Sequence, residues 1–98
     1  MIRDLRWTIR ATEEFENLMN YLLSEWGDHI AARVRLEIQL KIVRIHRSPE
    51  NFPVFRKGKK IHKCVASPQT SIYFKVHPDF IEILSIFDNR QNPKKRKL

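Results

Sequence analysis

The sequence predicts an α+β domain in which one antiparallel sheet packs against an N-terminal helical hairpin. Two observations carry this prediction. Apolar residues follow helical spacing through the first half of the chain, whereas the second half holds three β-rich runs, "IHKCVA", "SIYFKV" and "FIEILSIF". The short stretches "SPQT" and "HPDF" separate these runs and favour turns between antiparallel neighbours. The predicted element order is β-α-α-β-β-β.

The first strand and the start of the first helix follow from residues 4–26. Leu5, Trp7 and Ile9 alternate with polar residues in "DLRWTIR", which predicts a half-buried strand. Thr12 is the predicted N-cap of the first helix, and the two glutamates after it are expected to stabilise the positive end of the helix dipole. Helical spacing of apolar residues then continues to Trp26.

Gly27 and Asp28 predict a tight connection between two antiparallel helices, with Gly27 ending the first helix and Asp28 capping the second. The second helix is apolar on two faces and is predicted to need two neighbours, which we expect to be the first helix and the sheet. One face carries Ala31, Val34, Ile38, Ile42 and Ile45. The other face carries Leu36, Leu40 and Val43. Ser48-Pro49 ends the helix, and a linker follows.

Composition and charge narrow the class of protein. With 98 residues, 42% of them hydrophobic, the chain suits one folded domain over residues 1–98, with 94–98 expected to be a basic, flexible tail. Nineteen Lys and Arg against eleven Asp and Glu give a formal net charge of +8. Such an excess attracts polyanions or acidic protein segments, and a merely soluble basic protein is the equally weighted alternative.

The cysteine and histidine content of the sequence argues against disulfide bonds and metal sites. Cys64 is the only cysteine, so no internal disulfide forms, which fits a reducing cytoplasm. We expect Cys64 to be a small residue of the core. None of the four histidines has metal-ligand spacing to Cys64, and no HExxH motif occurs, so no metal and no cofactor are expected. No apolar run approaches a membrane span or a signal peptide, so no membrane contact is expected.

Positive charge is concentrated in two clusters. The first follows the linker and consists of Arg56, Lys57, Lys59, Lys60 and Lys63, with the titratable His62 among them. The second consists of Arg90, Lys94, Lys95, Arg96 and Lys97. If sheet order brings the clusters together, they form a positive, partly aromatic surface for a nucleic-acid backbone; otherwise each is a solvated loop or tail. Tyr73 and Phe74 are neighbours in a strand, so only one of them points to that surface.

The whole pattern from residue 3 to 93 resembles the RelE/ParE superfamily, the toxins of bacterial type II toxin–antitoxin pairs. The resemblance rests on "LRWTIRATEEFENLMNYLLSEWG", on "SPENFP" and on the segment "IHKCVASPQTSIYFKVHPDFIEILSIFDNRQNP". It implies the fold predicted above and a cognate antitoxin that wraps and neutralises the toxin. RelE-like members cleave mRNA in the ribosomal A site, whereas ParE-like members inhibit DNA gyrase without a catalytic site.

For the RelE-like mechanism, the resemblance implies roles for four residues. Lys60, Lys63 and Arg90 are predicted to hold the phosphates, and His62 is the proton-transfer candidate. Arg56, Lys57, Lys59, Lys94 and Lys95 are predicted nucleic-acid contacts. Ser71 stands where RelE has an arginine, and no tyrosine follows Arg90, so the family's catalytic set is incomplete. The basic clusters favour the ribosome and mRNA over gyrase, and an inactive member kept as the antitoxin's partner is the third hypothesis.

The antitoxin is expected to bind through an acidic amphipathic segment, either on the basic face of the sheet or in the groove of the helical hairpin.

Overall fold

The computed structural model describes residues 3–91, in which two helices cover one face of a five-stranded sheet. The elements in chain order are β1 (Asp4–Trp7), α1 (Ile9–Glu25), α2 (Asp28–Arg47), β2 (Val54–Arg56), β3 (Ile61–Val65), β4 (Thr70–Val76) and β5 (Phe80–Asp88). Short 3₁₀ turns, Pro49–Asn51 and Lys57–Lys59, flank β2. The predicted α+β class with a helical hairpin is confirmed, and the tail predicted at 94–98 lies outside the described residues.

The strands lie side by side in the order β1-β5-β4-β3-β2. Strands β3, β4 and β5 form the predicted antiparallel meander, whereas β1 joins the sheet edge in parallel with β5. The segment predicted as a linker contains β2, an edge strand paired with β3. Three residues are too few to show a period of two in the sequence, and for this reason pattern alone does not reveal β2.

Thr8, rather than the predicted Thr12, caps α1. The helix begins at Ile9, and the hydroxyl of Thr8 accepts a hydrogen bond from the backbone N–H of Ala11 at 3.0 Å. Ile9 therefore belongs to the helix and not to β1, and its side chain is 81% exposed. The prediction that Ile9 shares the buried face of Leu5 is wrong because the strand ends two residues earlier.

Glu14 lies beyond the first turn of α1. The predicted interaction of Glu14 with the positive end of the helix dipole is therefore wrong, because α1 begins earlier than predicted. Its Oε1 instead accepts hydrogen bonds from the Ser85 hydroxyl at 2.7 Å and from the backbone N–H of Ile86 at 3.1 Å. Parallel pairing with β1 ends at Ile83, so the next part of β5 needs other partners. Glu14 thus satisfies an edge of β5 that β1 leaves open.

The hairpin turn between α1 and α2 is the predicted one. Gly27 has a φ of 89°, a conformation that favours glycine, and it precedes α2 as its N-cap. Asp28 is the first residue of α2 and not its cap. The predicted inner face of α2 is confirmed, since Val34, Ile38 and Ile45 are fully buried.

No helix within residues 3–91 combines the length and hydropathy that crossing a membrane requires.

The core lies between the helices and one face of the sheet. Strands β3 to β5 contribute buried side chains to it, namely Cys64, Ile72, Phe74, Ile81, Ile83 and Ile86. The core position predicted for Cys64 is confirmed. The second apolar face of α2 has no neighbour in the described chain: Leu36, Leu40 and Val43 are 55%, 57% and 54% exposed. The prediction that both faces of α2 are buried is therefore wrong for the single chain.

Candidate nucleic-acid interface

Strand β3 separates two residues of the predicted catalytic set. Side chains along a strand alternate between the face covered by the helices and the opposite face, which we call the open face. Lys63 pairs with Tyr73 on the open face, whereas His62 pairs with the core residue Phe74 on the covered face. Phe74 thus points to the helices and Tyr73 away from them. Lys63 and His62 do not share a site.

Phe55, Lys63 and Tyr73 meet on the open face, with Arg56 beside them, and we call these four residues the cation–aromatic cluster. The Phe55 ring meets the Tyr73 ring edge-on, with centroids 5.0 Å apart. The ammonium of Lys63 lies 5.9 Å from the Phe55 centroid and 6.0 Å from the Tyr73 centroid. The Arg56 guanidinium lies 5.6 Å from the Phe55 centroid.

The cation–aromatic cluster has a buried floor and a partly exposed surface. Tyr73 is fully buried and forms the floor, while Phe55 and Lys63 are partly exposed and Arg56 is exposed. Contacts with an aromatic ring restrict the side chain of Lys63 without neutralising its charge. A cation restricted in this way loses less conformational entropy when it binds an anion.

The chain next to this cluster forms the basic loop, residues 56–63. Its five cations are Arg56, Lys57, Lys59, Lys60 and Lys63. None of them takes part in an ion pair within residues 3–91. Lys60 has φ 54° and ψ 39°, a left-handed conformation that costs a non-glycine residue about 1 kcal/mol. The basic loop therefore presents unpaired positive charge beside the cation–aromatic cluster.

His62 is held by contacts on the covered face. Its ring stacks on Phe74 with centroids 5.1 Å apart and an interplanar angle of 15°. Its Nδ1 lies 2.9 Å from the backbone carbonyl oxygen of Phe52. A carbonyl oxygen only accepts hydrogen bonds, so Nδ1 is the donor in this contact. The ring is thus fixed in orientation, on the face away from Lys63.

Arg90 lies just beyond β5 and forms an ion pair with the buried carboxylate of Asp88. Arg90 Nε donates to Asp88 Oδ1 at 3.0 Å, and Nη2 donates to Oδ2 at 2.7 Å. The Thr70 hydroxyl also donates to Oδ2, at 2.6 Å, and the backbone N–H of Arg90 donates to Oδ1 at 2.9 Å. The last bond joins residues two apart and shapes the turn that follows β5. We call Thr70, Asp88 and Arg90 the β5 clamp.

The contacts within the β5 clamp favour the charged forms of both Asp88 and Arg90. Burial acts to raise the pKa of Asp88, but the hydrogen bonds from Arg90 and Thr70 outweigh it and lower the pKa below the usual 3.8. The hydrogen bond to Asp88 raises the pKa of Arg90. The side chain of Asp88 is 0% exposed and that of Arg90 is 11% exposed. Asp88 thus offsets the charge that Arg90 would offer to a phosphate.

Arg90, the one residue of the second basic cluster that the structure describes, lies at the opposite end of the sheet from the start of β3. Lys60 precedes Ile61, which pairs with Lys75, whereas Arg90 follows Asp88, which pairs with Thr70. Five residues of β4 separate these positions, or about 17 Å along the strand. Strands β3 and β5 run in the same direction, so Lys60 before β3 and Arg90 after β5 lie at opposite ends of the sheet. Lys94 and Lys95 lie outside the described residues.

The open face brings cations and aromatic rings together, and among the described residues it does not bring together the four residues of the predicted catalytic set. The cation–aromatic cluster and the basic loop offer cations to phosphate oxygens. On this face, the described residues bring no histidine next to Lys63. Within residues 3–91 no group of three or more His, Cys, Asp or Glu side chains is placed to hold a metal ion.

The exposed face of α2 is a second candidate surface, although its apolar spacing predicts a buried face. Leu36, Leu40 and Val43 recur at helical spacing and form what we call the α2 stripe. Arg33 precedes the stripe by three residues and Arg44 follows Leu40 by four, so both lie on the same side of the helix. The α2 stripe is therefore apolar with basic ends. Its exposure, not its spacing, distinguishes it from a core face.

Comparisons with known proteins add evidence at the level of the fold. No protein-family model and no curated protein sequence matches the chain. Solved structures do match. The chromosomal ParDE TA system from P. aeruginosa superposes with a TM-score of 0.76 at 16% identity, covering 89% of this chain and 96% of that chain.

Two further structures match over nearly their whole length. The E. coli DinJ-YafQ toxin–antitoxin complex gives a TM-score of 0.64 at 7% identity, covering 94% of this chain and 98% of that chain. The conserved hypothetical protein HP0894 from Helicobacter pylori gives 0.57 at 20% identity, with coverage of 92% and 97%. Likeness at these identities is one of fold. The chain therefore has the RelE/ParE-like fold that its sequence predicts, and it shares this fold with toxin–antitoxin proteins of P. aeruginosa and E. coli.

Proposed function

We propose that this chain is the toxin of a type II toxin–antitoxin pair and arrests growth from within the cytoplasm. The fold supports this proposal, because the matched ParDE and DinJ-YafQ structures are toxin–antitoxin systems. Two surfaces of the chain also suit the role. The open face carries unpaired cations for a target, and the α2 stripe carries exposed apolar side chains for a protein partner.

The favoured target is mRNA on the ribosome, and the cation–aromatic cluster is the observation that carries this choice. Lys63 is held on the open face over two aromatic rings, and Lys60 lies three residues away in the basic loop. Both would neutralise phosphate charge, with Arg56, Lys57 and Lys59 contributing to the approach of the RNA. The partly exposed ring of Phe55 is suited to stacking against an unpaired base.

The proton-transfer role proposed for His62 requires its ring to lie next to the bound RNA. A general base must lie within hydrogen-bond reach of the 2′-hydroxyl that it deprotonates. The ring of His62 would have to leave Phe74 and the Phe52 carbonyl to reach the open face. Arg90 would likewise have to leave Asp88 to bind phosphate. We therefore assign Arg90 to the β5 clamp and keep Lys60 and Lys63 as the phosphate-binding pair.

The same geometry favours a second candidate, inhibition of DNA gyrase without catalysis. A non-catalytic toxin needs neither a free Arg90 nor a histidine on the open face, and in this chain both residues are engaged elsewhere. A chain retained only as the antitoxin's partner is also compatible with these contacts. Growth arrest separates this last hypothesis from the other two.

The cognate antitoxin is proposed to bind the α2 stripe with an acidic amphipathic helix. The stripe leaves three apolar side chains about half exposed, and burial of the remaining surface contributes about 1 kcal/mol for each. Arg33 and Arg44 at its ends favour acidic residues on the partner. This choice selects the helical hairpin over the sheet face, the two sites that the sequence leaves open. It also leaves the target surface on the other side of the sheet.

Inducible expression in a bacterial host tests the toxin role. Wild-type chain should arrest growth, and the double variant Lys60→Ala/Lys63→Ala should relieve the arrest. A matched control, Arg33→Ala/Lys41→Ala, removes the same charge from α2 and should still arrest growth. Arrest by a folded Lys60→Ala/Lys63→Ala variant would remove the basic loop from the proposal. Absence of arrest by the wild type would contradict the toxin role itself. Arg90 is left intact, since its loss should destabilise the fold and complicate the comparison.

A further inference from the structure

A second group of hydrogen-bond donors surrounds a cavity at the C-terminal end of α2. The cavity has a volume of about 170 Å³ and opens between the last turn of α2 and the 3₁₀ turn Pro49–Asn51. Its walls are formed by Arg44, Arg47, Ser48, Asn51 and Phe52. Four of these five side chains carry a donor group, and none carries a carboxylate. The composition of the walls therefore suits an anion.

The donors around this cavity are not used by the rest of the described chain. Within residues 3–91, neither Arg44 nor Arg47 takes part in an ion pair. The Ser48 hydroxyl makes no capping hydrogen bond, and the Asn51 side-chain amide bonds to none of the described residues. A bound anion would thus gain these bonds without breaking existing ones.

The backbone that carries these donors is held in place. Ser48 N–H donates to the Arg44 carbonyl at 2.9 Å, and Asn51 N–H donates to the Ser48 carbonyl at 3.1 Å. Pro49 between them is buried and starts the 3₁₀ turn. The Phe52 ring packs edge-on against the core residue Phe74, with centroids 5.8 Å apart. The backbone of the cavity walls and the Phe52 ring are therefore in place before a ligand arrives.

The local charge also favours an anion. The C-terminal end of a helix carries about half a negative charge, and exposed Glu50 adds one more nearby. Arg44, Arg47 and Lys41, one turn earlier, together supply three positive charges. Burial raises the pKa of the core residue Cys64, while the nearby charges of Lys41 and Arg44 act to lower it. The positive charges outnumber the negative ones, so the helix end does not repel an anion.

We propose that this cavity binds a tetrahedral oxyanion of the phosphate class, with Arg44 and Arg47 as charged donors and Ser48 and Asn51 as neutral donors. A guanidinium group binds two phosphate oxygens at once, a geometry that chloride cannot use. The oxyanion comes either from inorganic phosphate or from a phosphodiester of a nucleic acid. The site does not depend on the proposed toxin function, because it uses none of the residues of the basic loop.

The test is a titration of the full chain with sodium phosphate, monitored by NMR. The ionic strength is held constant with chloride as the balancing anion. We expect saturable shifts of the Asn51 side-chain amide and of the Nε–H signals of Arg44 and Arg47. The double variant Arg44→Gln/Arg47→Gln should weaken phosphate binding at least tenfold. Asn51→Asp should do the same by placing a carboxylate in the cavity. The control Arg33→Gln removes an exposed arginine elsewhere on α2 and should bind like the wild type.

A short single-stranded RNA oligonucleotide forms the second arm of the experiment. Displacement of phosphate from the cavity by this RNA assigns the site to phosphodiesters, and failure to displace it assigns the site to free phosphate. Shifts that chloride reproduces would overturn the proposal. So would unchanged phosphate affinity in Arg44→Gln/Arg47→Gln, provided that signals far from the cavity show a folded chain.

Discussion

Hydrogen bonds from a few residues at the end of β5 compensate a buried charge, the carboxylate of Asp88. Asp88 is buried, yet it accepts hydrogen bonds from Thr70 and from both the side chain and the backbone of Arg90. An ion pair of this kind stabilises only while both partners are present, since loss of one leaves the other buried and uncompensated. Arg90 is therefore better explained as a structural residue than as a phosphate ligand.

Replacement of Arg90 by alanine should cost about 3 kcal/mol of the free energy of unfolding, because Asp88 would stay buried without its main donor. Urea unfolding at pH 7 measures this change. Arg33→Ala, which removes an exposed arginine with no ion pair within residues 3–91, should change stability by about 0.5 kcal/mol or less. A loss in Arg90→Ala as small as in the control would show that the β5 clamp is not structural.

The lowered pKa of Asp88 predicts a pH dependence of stability. A carboxylate whose pKa is lower in the folded state stabilises the fold above its unfolded pKa, here 3.8, and loses this contribution as the pH falls through the folded pKa. Wild type should therefore lose more stability than Asp88→Asn when the pH drops from 5 to below 3.8. Denaturant midpoints at a series of pH values measure the two slopes. Equal slopes would contradict the shift.

Helix α1 begins at a side-chain cap that Thr8 provides. Thr8 and Thr12 are both threonines near the start of the helix, but only Thr8 accepts from a free N–H of the first turn. The Thr12 hydroxyl instead donates back to the Thr8 carbonyl. Thr8→Ala should cost about 1 kcal/mol of unfolding free energy, while Thr12→Ala should cost clearly less. Thermal unfolding of the two variants makes the comparison, and a larger loss in Thr12→Ala would restore the cap predicted from sequence.

The α2 stripe carries the prediction for the antitoxin. Leu36→Gln/Leu40→Gln keeps side-chain size but removes apolar area, so affinity for the antitoxin should fall at least tenfold. Growth arrest by the variant expressed alone should persist, since the stripe lies on the helix side of the sheet. Calorimetry with the purified antitoxin measures the affinity, and Leu23→Gln on α1 serves as the control. Unchanged affinity in the double variant would move the antitoxin to another surface.

At the scale of the whole molecule, the sequence predicted most of the fold because the helices and strands β3 to β5 are long enough to show their periods. It did not reveal β2, which has three residues, or the parallel pairing of β1, which depends on a partner more than seventy residues away. The α2 stripe shows a further limit: spacing reveals that a face is apolar but not what covers it.

The candidate site was predicted less completely than the fold. The concentration of charge in the basic loop is visible in the sequence, and the structure adds the aromatic rings beneath Lys63. The alternation of β3 places His62 and Lys63 on opposite faces, and strand direction places Arg90 at the other end of the sheet. Thr70 reaches Asp88 only through the register of β4 and β5. A one-dimensional pattern does not contain these relations.

We propose that the open face acts on ribosome-bound mRNA through Lys60 and Lys63. Primer extension on mRNA in a purified translation system tests it most directly. Added wild-type chain should produce cuts that require ribosomes, and Lys60→Ala/Lys63→Ala should reduce them at least a hundredfold while the control Arg33→Ala/Lys41→Ala cuts normally. Intact mRNA in the presence of folded wild-type chain would contradict the claim, and inhibition of gyrase supercoiling by the same sample would establish the second candidate.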